Sequence, residues 1–188
     1  MKYLEARFSF AKTPDFVKDL LVACLAELGF ESFVENDDAT IVAYIQSQLF
    51  DELKLKDFIS DFDFKDKIAK GFTALAENDG PYLVHCTEGK DRTGFVCMLL
   101  EALCGATYEE LVDDYMITYA NYYRITKSSD PEKYDVIVSN LLVPMIEAIA
   151  GDGVDITKAD LASCAEAFLI NAGMSADQIG ALRAKLQK

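Results

Sequence analysis

Tryptophan is absent from this 188-residue chain, and histidine occurs once. A single imidazole rules out a histidine-built metal centre. The five cysteines do not repair the deficit, because none stands in a Cys-x-x-Cys pair. Their odd number (Cys24, Cys86, Cys97, Cys104 and Cys164) also speaks against a disulfide scaffold. A reactive thiol in a reducing, cytoplasmic setting fits better, with no metal and no cofactor expected. Clustered basic residues are missing too. Eighteen Lys and Arg are scattered among 32 Asp and Glu, giving a formal net charge of −14. Such a surface repels a nucleic-acid backbone, so no DNA or RNA partner is expected. No stretch reaches the ~18 apolar residues of a membrane span. Lys2, Glu5 and Arg7 stand where a signal peptide needs an apolar run.

What is present is ample core material. Apolar types make up 51% of the chain, including 12 Phe and 9 Tyr. Tyr3 to Phe10 alternates as a strand does. Thr13-Pro14-Asp15 then starts a helix whose apolar stripe runs through Phe16, Leu20, Leu21, Cys24, Leu25 and Leu28 to Gly29. Glu31–Glu35 and Thr40–Ile45 read as strands joined by the turn Asn36-Asp37-Asp38, and Leu49–Phe58 as a helix. Residues 1–63 thus give a β-α-β-β-α order.

Residues 64–188 form a second part. A helix is expected from Phe64 to about Ala76, then a loop through Glu77-Asn78-Asp79-Gly80-Pro81. Tyr82-Leu83-Val84-His85 reads as a short buried strand. After Gly94, the run Phe95-Val96-Cys97-Met98-Leu99-Leu100 is apolar almost all round, as in a central helix packed on every side. Thr107 with Glu110 makes a capping box opening a helix to about Tyr123. Asp130-Pro131 opens a helix ending near Gly151, and Thr157 and Ser175, the latter with Gln178, open two more. The expected whole is an α/β composite: a strand, a phosphate loop and a buried helix, followed by a C-terminal helical bundle.

Between the strand and the central helix lies His85-Cys86-Thr87-Glu88-Gly89-Lys90-Asp91-Arg92-Thr93-Gly94. Such a loop aims backbone N–H groups from residues 87–92 and a helix N-terminus at an anion. Arg92 is suited to grip two phosphate oxygens at once. Cys86 sits in the same positive field, which favours its thiolate and places it for attack on phosphorus. Thr93 is positioned to hydrogen-bond the sulfur as it leaves. Gly89 and Gly94 allow the tight backbone, and His85 would support the loop through its ring. Phosphate or sulfate is an expected occupant.

These residues resemble the signature loop of protein tyrosine phosphatases. Gly-Lys-Asp-Arg-Thr-Gly is similar to the bacterial branch that acts on phosphotyrosine and often phosphoinositides. The likeness runs from about Phe64 to the C-terminus, through Tyr115-Met116-Ile117-Thr118-Tyr119. It implies a hydrolase of phosphorylated protein or phosphoinositide, with Cys86 the nucleophile, Arg92 the clamp and Lys90 an extra phosphate ligand. It also implies Asp91 as general acid. The sequence offers Asp57, Asp61 and Asp63 upstream as well, which read better as solvated helix-end carboxylates.

The first third resembles something else. Met1-Lys2-Tyr3-Leu4-Glu5, Leu25 to Phe33 and Ala43-Tyr44-Ile45-Gln46 are similar to the N-terminal domain of the bacterial methyltransferase that modifies a ribosomal stalk protein. That implies a ferredoxin-like domain that grips protein, and a composite or chimeric chain. No glycine-rich turn for S-adenosylmethionine is present. Two readings stand beside the enzyme: a phosphate-binding module without turnover, and a protein-interaction module.

Overall fold

The strand at Thr40–Gln46 is apolar along nearly its whole length, as befits a strand flanked on both edges. In the computed structural model it is the middle of a three-stranded antiparallel sheet. The model describes residues 2–9, 15–36, 40–60, 64–86 and 88–187. The readings at Phe10, Thr13-Pro14, Asp37-Asp38, Asp61, Asp63 and Thr87 lie outside those residues. The chain divides into two compact units, Met1–Asp63 and Phe64–Lys188.

The first unit runs β1 (Tyr3–Ser9), α1 (Asp15–Glu27), β2 (Phe30–Asn36), β3 (Thr40–Gln46) and α2 (Glu52–Ser60). Strand order is β1-β3-β2. β1 pairs without a break from Tyr3↔Gln46 to Ser9↔Thr40. β2 slips between Phe30 and Ser32, so Glu31 sits in a bulge that re-aims the start of the strand. Leu21 and Leu25 of α1 meet Phe30, Ala43 and Ile45 of the sheet, and Phe50, Leu55 and Phe58 pack against the same cluster. Leu21 and Leu25 of the α1 stripe are thus buried as the sequence anticipates, Leu25 fully.

The second unit is helical: α3 (Phe64–Glu77), α4 (Arg92–Leu103), α5 (Tyr108–Tyr123), α6 (Pro131–Ile137), a π-helical turn (Val138–Leu142), α7 (Val143–Ala150), α8 (Leu161–Asn171) and α9 (Ala176–Leu186). Among the described residues it contains no strand. This corrects the expected strand at Tyr82–His85, which is irregular backbone with Leu83 85% exposed. The local pattern is strand-like, but a strand forms only beside another that takes its N–H and C=O groups, and the three strands present all lie within residues 3–46. Tyr82 instead turns its hydroxyl back on α3, donating to Leu75 O at 3.0 Å and to Asn78 O.

The helix starts follow side-chain chemistry. Thr107 with Glu110, and Ser175 with Gln178, form reciprocal capping boxes, and Asp130 caps Lys133 N with Pro131 at the first turn. The start expected at Thr157 is corrected to Asp160. Its carboxylate accepts from Ser163 N, while the Thr157 hydroxyl is spent on Asp155 at 2.6 Å. The helix opened by Asp130 does end at Gly151, but through the π turn at Val138–Leu142.

α4 is the axis of this unit. Phe95, Met98, Leu99, Ala102 and Leu103 are buried, and the helix packs on α5, α7 and α8. Phe64, Phe95 and Phe168 form an aromatic triad with centroids 6.0–6.4 Å apart. At the far end Arg183 of α9 donates to Leu103 O at 3.0 Å and to Glu166 at 2.9 Å, tying α9 to α4 and α8. No helix among the described residues is long and apolar enough to cross a membrane.

Candidate active site

The loop from His85 to Gly94 joins irregular backbone to the first turn of α4, whose opening bond runs from Phe95 N to Asp91 O at 2.9 Å. Gly89 holds φ at +77°, a conformation that a residue with a Cβ adopts only under strain. That turn points Gly89 N at the Cys86 sulfur, 3.1 Å away. Gly94 serves packing instead. A Cβ there would stand 3.0 Å from the Tyr115 ring, so its absence lets α5 lie against the loop.

Partial burial of Cys86 works against its thiolate, but the Thr93 hydroxyl and N–H, with the Gly89 and Glu88 N–H groups, outweigh it and draw the thiol below its ordinary value. Thr93 Oγ1 is itself buried and makes no hydrogen bond of ordinary geometry among the described residues. Burial has the opposite net effect on Cys97 and Cys104, both pushed up. A consequence is testable by alkylation. Cys86 is expected to react with iodoacetamide at lower pH than Cys97 or Cys104, with peptide mass spectrometry across a pH series reading each midpoint. Coincident midpoints for the three would contradict this.

Lys90 is turned away from solvent and clasped by two carboxylates, Asp91 Oδ2 at 2.8 Å and Glu88 Oε2 at 3.2 Å. Burial opposes its charge, but hydrogen bonds to Asp91 and then Glu88 outweigh it, and its pKa is raised. Asp91 occupies the N-cap position of α4 yet makes no side-chain cap bond, its carboxylate being engaged with Lys90. Arg92 begins α4, with its Nε buried. His85 is exposed, and among the described residues its ring makes no hydrogen bond. Asp57 lies on α2 of the other unit.

Two features escape a reading of the motif alone. Tyr115, Tyr119 and Tyr123 form a ladder along α5, with ring centroids 5.6 and 5.4 Å apart. Its outer rung donates from the Tyr123 hydroxyl to Glu88 Oε2 at 3.5 Å. The i, i+4, i+8 spacing of tyrosines is the signal in the sequence. Behind the loop, a cleft lined by Gly89, Lys90, Cys97, Glu101 and Asp114 holds a carboxyl pair. Burial, then the charge of Asp114 and a hydrogen bond with it, push Glu101 up to about 7. Among the described residues no cluster of three or more potential ligands is placed to hold a metal ion.

The model of the tyrosine phosphatase family matches residues 35–188. The chain belongs to the tyrosine phosphatase family. The match begins in β2, upstream of the boundary at Phe64 drawn from the motif. A tyrosine-protein phosphatase of Nostoc commune is 42% identical over 60 residues, 32% of this chain and 20% of that protein. The chain also has relatives of another kind. Ribosomal protein L11 methyltransferase of Phocaeicola vulgatus is 46% identical over 66 residues, covering 35% of this chain and 23% of the enzyme. The corresponding protein of Bacteroides thetaiotaomicron is 44% identical over 66 residues, again 35% of the chain and 23% of the relative. The chain therefore spans about a quarter or less of these relatives' length. No solved structure matches.

Proposed function

We propose that the loop hydrolyses phosphomonoesters through a phosphocysteine intermediate, acting on phosphotyrosine or phosphoinositide. The observation that carries this reading is the Cys86 sulfur, drawn toward the thiolate at the floor of a loop whose N–H groups converge on it. The substrate phosphoryl group sits on the loop N–H groups and the Arg92 guanidinium. The thiolate attacks phosphorus, so that an S–P bond forms as the ester P–O bond breaks. The leaving oxygen takes its proton from Asp91, which must first leave Lys90 and take up a proton from solvent. Water then attacks phosphorus, the S–P bond breaks with Thr93 turned to the departing sulfur, and the carboxylate of Asp91 takes the proton back. Lys90, once released by Asp91, still faces Glu88 and meets substrate phosphate in competition with it.

The first unit is read here as a ferredoxin-like piece joined to the phosphatase half in a composite chain. Its β1-β3-β2 order and βαββα sequence support that reading, as do its methyltransferase relatives. Its proposed role is to hold a protein partner.

The experiment is a quench. Turnover of an aryl phosphate, stopped in acid, is expected to leave phosphate on the peptide containing Cys86, seen by mass spectrometry. Turnover with no phosphorylated Cys86 peptide would refute the covalent route. A second reading, phosphate binding without turnover, is favoured by the irregular backbone at Tyr82–His85. Stabilisation by phosphate with no ester hydrolysis is its mark.

A further inference from the structure

The loop carries two strong cations, Lys90 and Arg92. Arg92 stands at the start of α4, where the helix N-terminus reinforces it. Lys90 faces two carboxylates at once, 2.8 Å to Asp91 and 3.2 Å to Glu88, so the trio carries a net negative charge. The Glu88 side chain is 57% exposed, but it has a second contact. Its Oε2 accepts from Tyr123, the last residue of α5, and Tyr123 stacks on Tyr119, which is buried together with Tyr115. A helix with a buried aromatic base thus holds the post to which Glu88 is tied.

We infer that Glu88 is a specificity-determining residue: steadied by Tyr123, it claims Lys90 and favours substrates with one phosphate group over those with two or more. This rests on the reading that the loop binds phosphate esters. A single phosphate is met by the loop N–H groups and Arg92. A second phosphate on the same substrate has Lys90 as its remaining cation in the loop, and must displace Glu88 while facing its charge. Asp91 leaves Lys90 in any case during proton transfer. Glu88 has no such duty, and its clasp persists.

The test compares wild type, Glu88→Gln, Glu88→Asp and Tyr123→Phe. Hydrolysis of phosphotyrosine is measured against a short-chain phosphatidylinositol bisphosphate. In parallel, calorimetry on Cys86→Ser backgrounds reads the affinity for inorganic phosphate against pyrophosphate. Glu88→Gln is expected to raise the bisphosphate-to-monophosphate ratio of kcat/KM at least about threefold, chiefly through KM. The gain should fade at about 1 M salt. Glu88→Asp is expected to restore most of the original ratio, and Tyr123→Phe to shift it less, in the same direction as Glu88→Gln. An unchanged ratio in Glu88→Gln, or equal gains for both esters, overturns the inference. If neither ester is hydrolysed, the hydrolytic reading fails and calorimetry decides this one. A pyrophosphate-to-phosphate affinity ratio raised by Glu88→Gln upholds it, and an unchanged ratio, or no anion binding at all, overturns it.

Discussion

Cys86→Ser is expected to lower aryl phosphate turnover by roughly four orders of magnitude or more while leaving phosphate binding in place. The size follows from the chemistry. A serine hydroxyl at this position stays protonated, whereas the same surroundings draw the cysteine toward its thiolate, and they supply hydrogen-bond donors that favour it. Gly89 N lies 3.1 Å from the sulfur, and the N–H groups of Thr93 and Glu88 also stabilise negative charge there. Their orientation belongs to the backbone, so the cradle survives the loss of sulfur and the anion still binds. The split is the informative result: kcat collapses, whereas the dissociation constant for phosphate, read by calorimetry, changes little. Comparable kcat in the variant would mean that another group attacks phosphorus. Loss of phosphate binding along with kcat would mean that the thiolate, rather than the loop backbone, organises the cradle.

Phe95→Ala is expected to lower the stability of the second unit by about 3–5 kcal/mol, from the removed ring and the cavity left behind. Phe95 is 0% exposed, and its ring meets Phe64 of α3 and Phe168 of α8 in edge-on contacts. Those three helices lose their shared contact at once, so little relaxation is available to close the void. A domain of ordinary stability has roughly 5–15 kcal/mol in hand, so the loss is a large part of it. Urea denaturation followed by tyrosine fluorescence measures the effect, the chain having no tryptophan to obscure it. Phe95→Leu, which keeps most of the apolar volume, should cost markedly less. Equal losses for the two variants would indicate that the ring geometry matters more than the cavity.

The helices of the second unit were legible because their starting signals are local. Thr107 with Glu110 and Ser175 with Gln178 specify their own hydrogen bonds within four residues, and no distant contact is needed to complete them. Thr157 shows the limit of such signals. It looks like a cap, but Asp155 takes its hydroxyl, and Asp160 three residues on caps the helix instead. Tyr82–His85 shows a different limit, since an apolar tetrapeptide carries no information about whether a neighbouring strand exists. The candidate site was legible for the same reason as the capping boxes, Cys86 to Gly94 being contiguous. What the motif hid came from elsewhere in the fold: Tyr123 reaching Glu88, and Asp114 pairing with Glu101. Those pairs depend on how α5 lies against the loop and α4, which Gly94 permits and no local pattern announces.

The π turn at Val138–Leu142 has a consequence for tolerance to length change. Each residue of an α-helix advances the side-chain direction by about 100°, and a π turn absorbs one surplus residue by widening the coil. Upstream of it, α6 buries no side chain, whereas Leu142 at its last position and Met145, Ile146 and Ile149 downstream are all buried. The turn is thus a phase slip between two stretches that answer to different surroundings. Deleting one residue within it would convert the coil to unbroken α-helix without moving the axis. A compensated deletion is therefore tolerated at 138–142, while the same deletion in the unbroken coil of α7 would swing its apolar edge out of the interior.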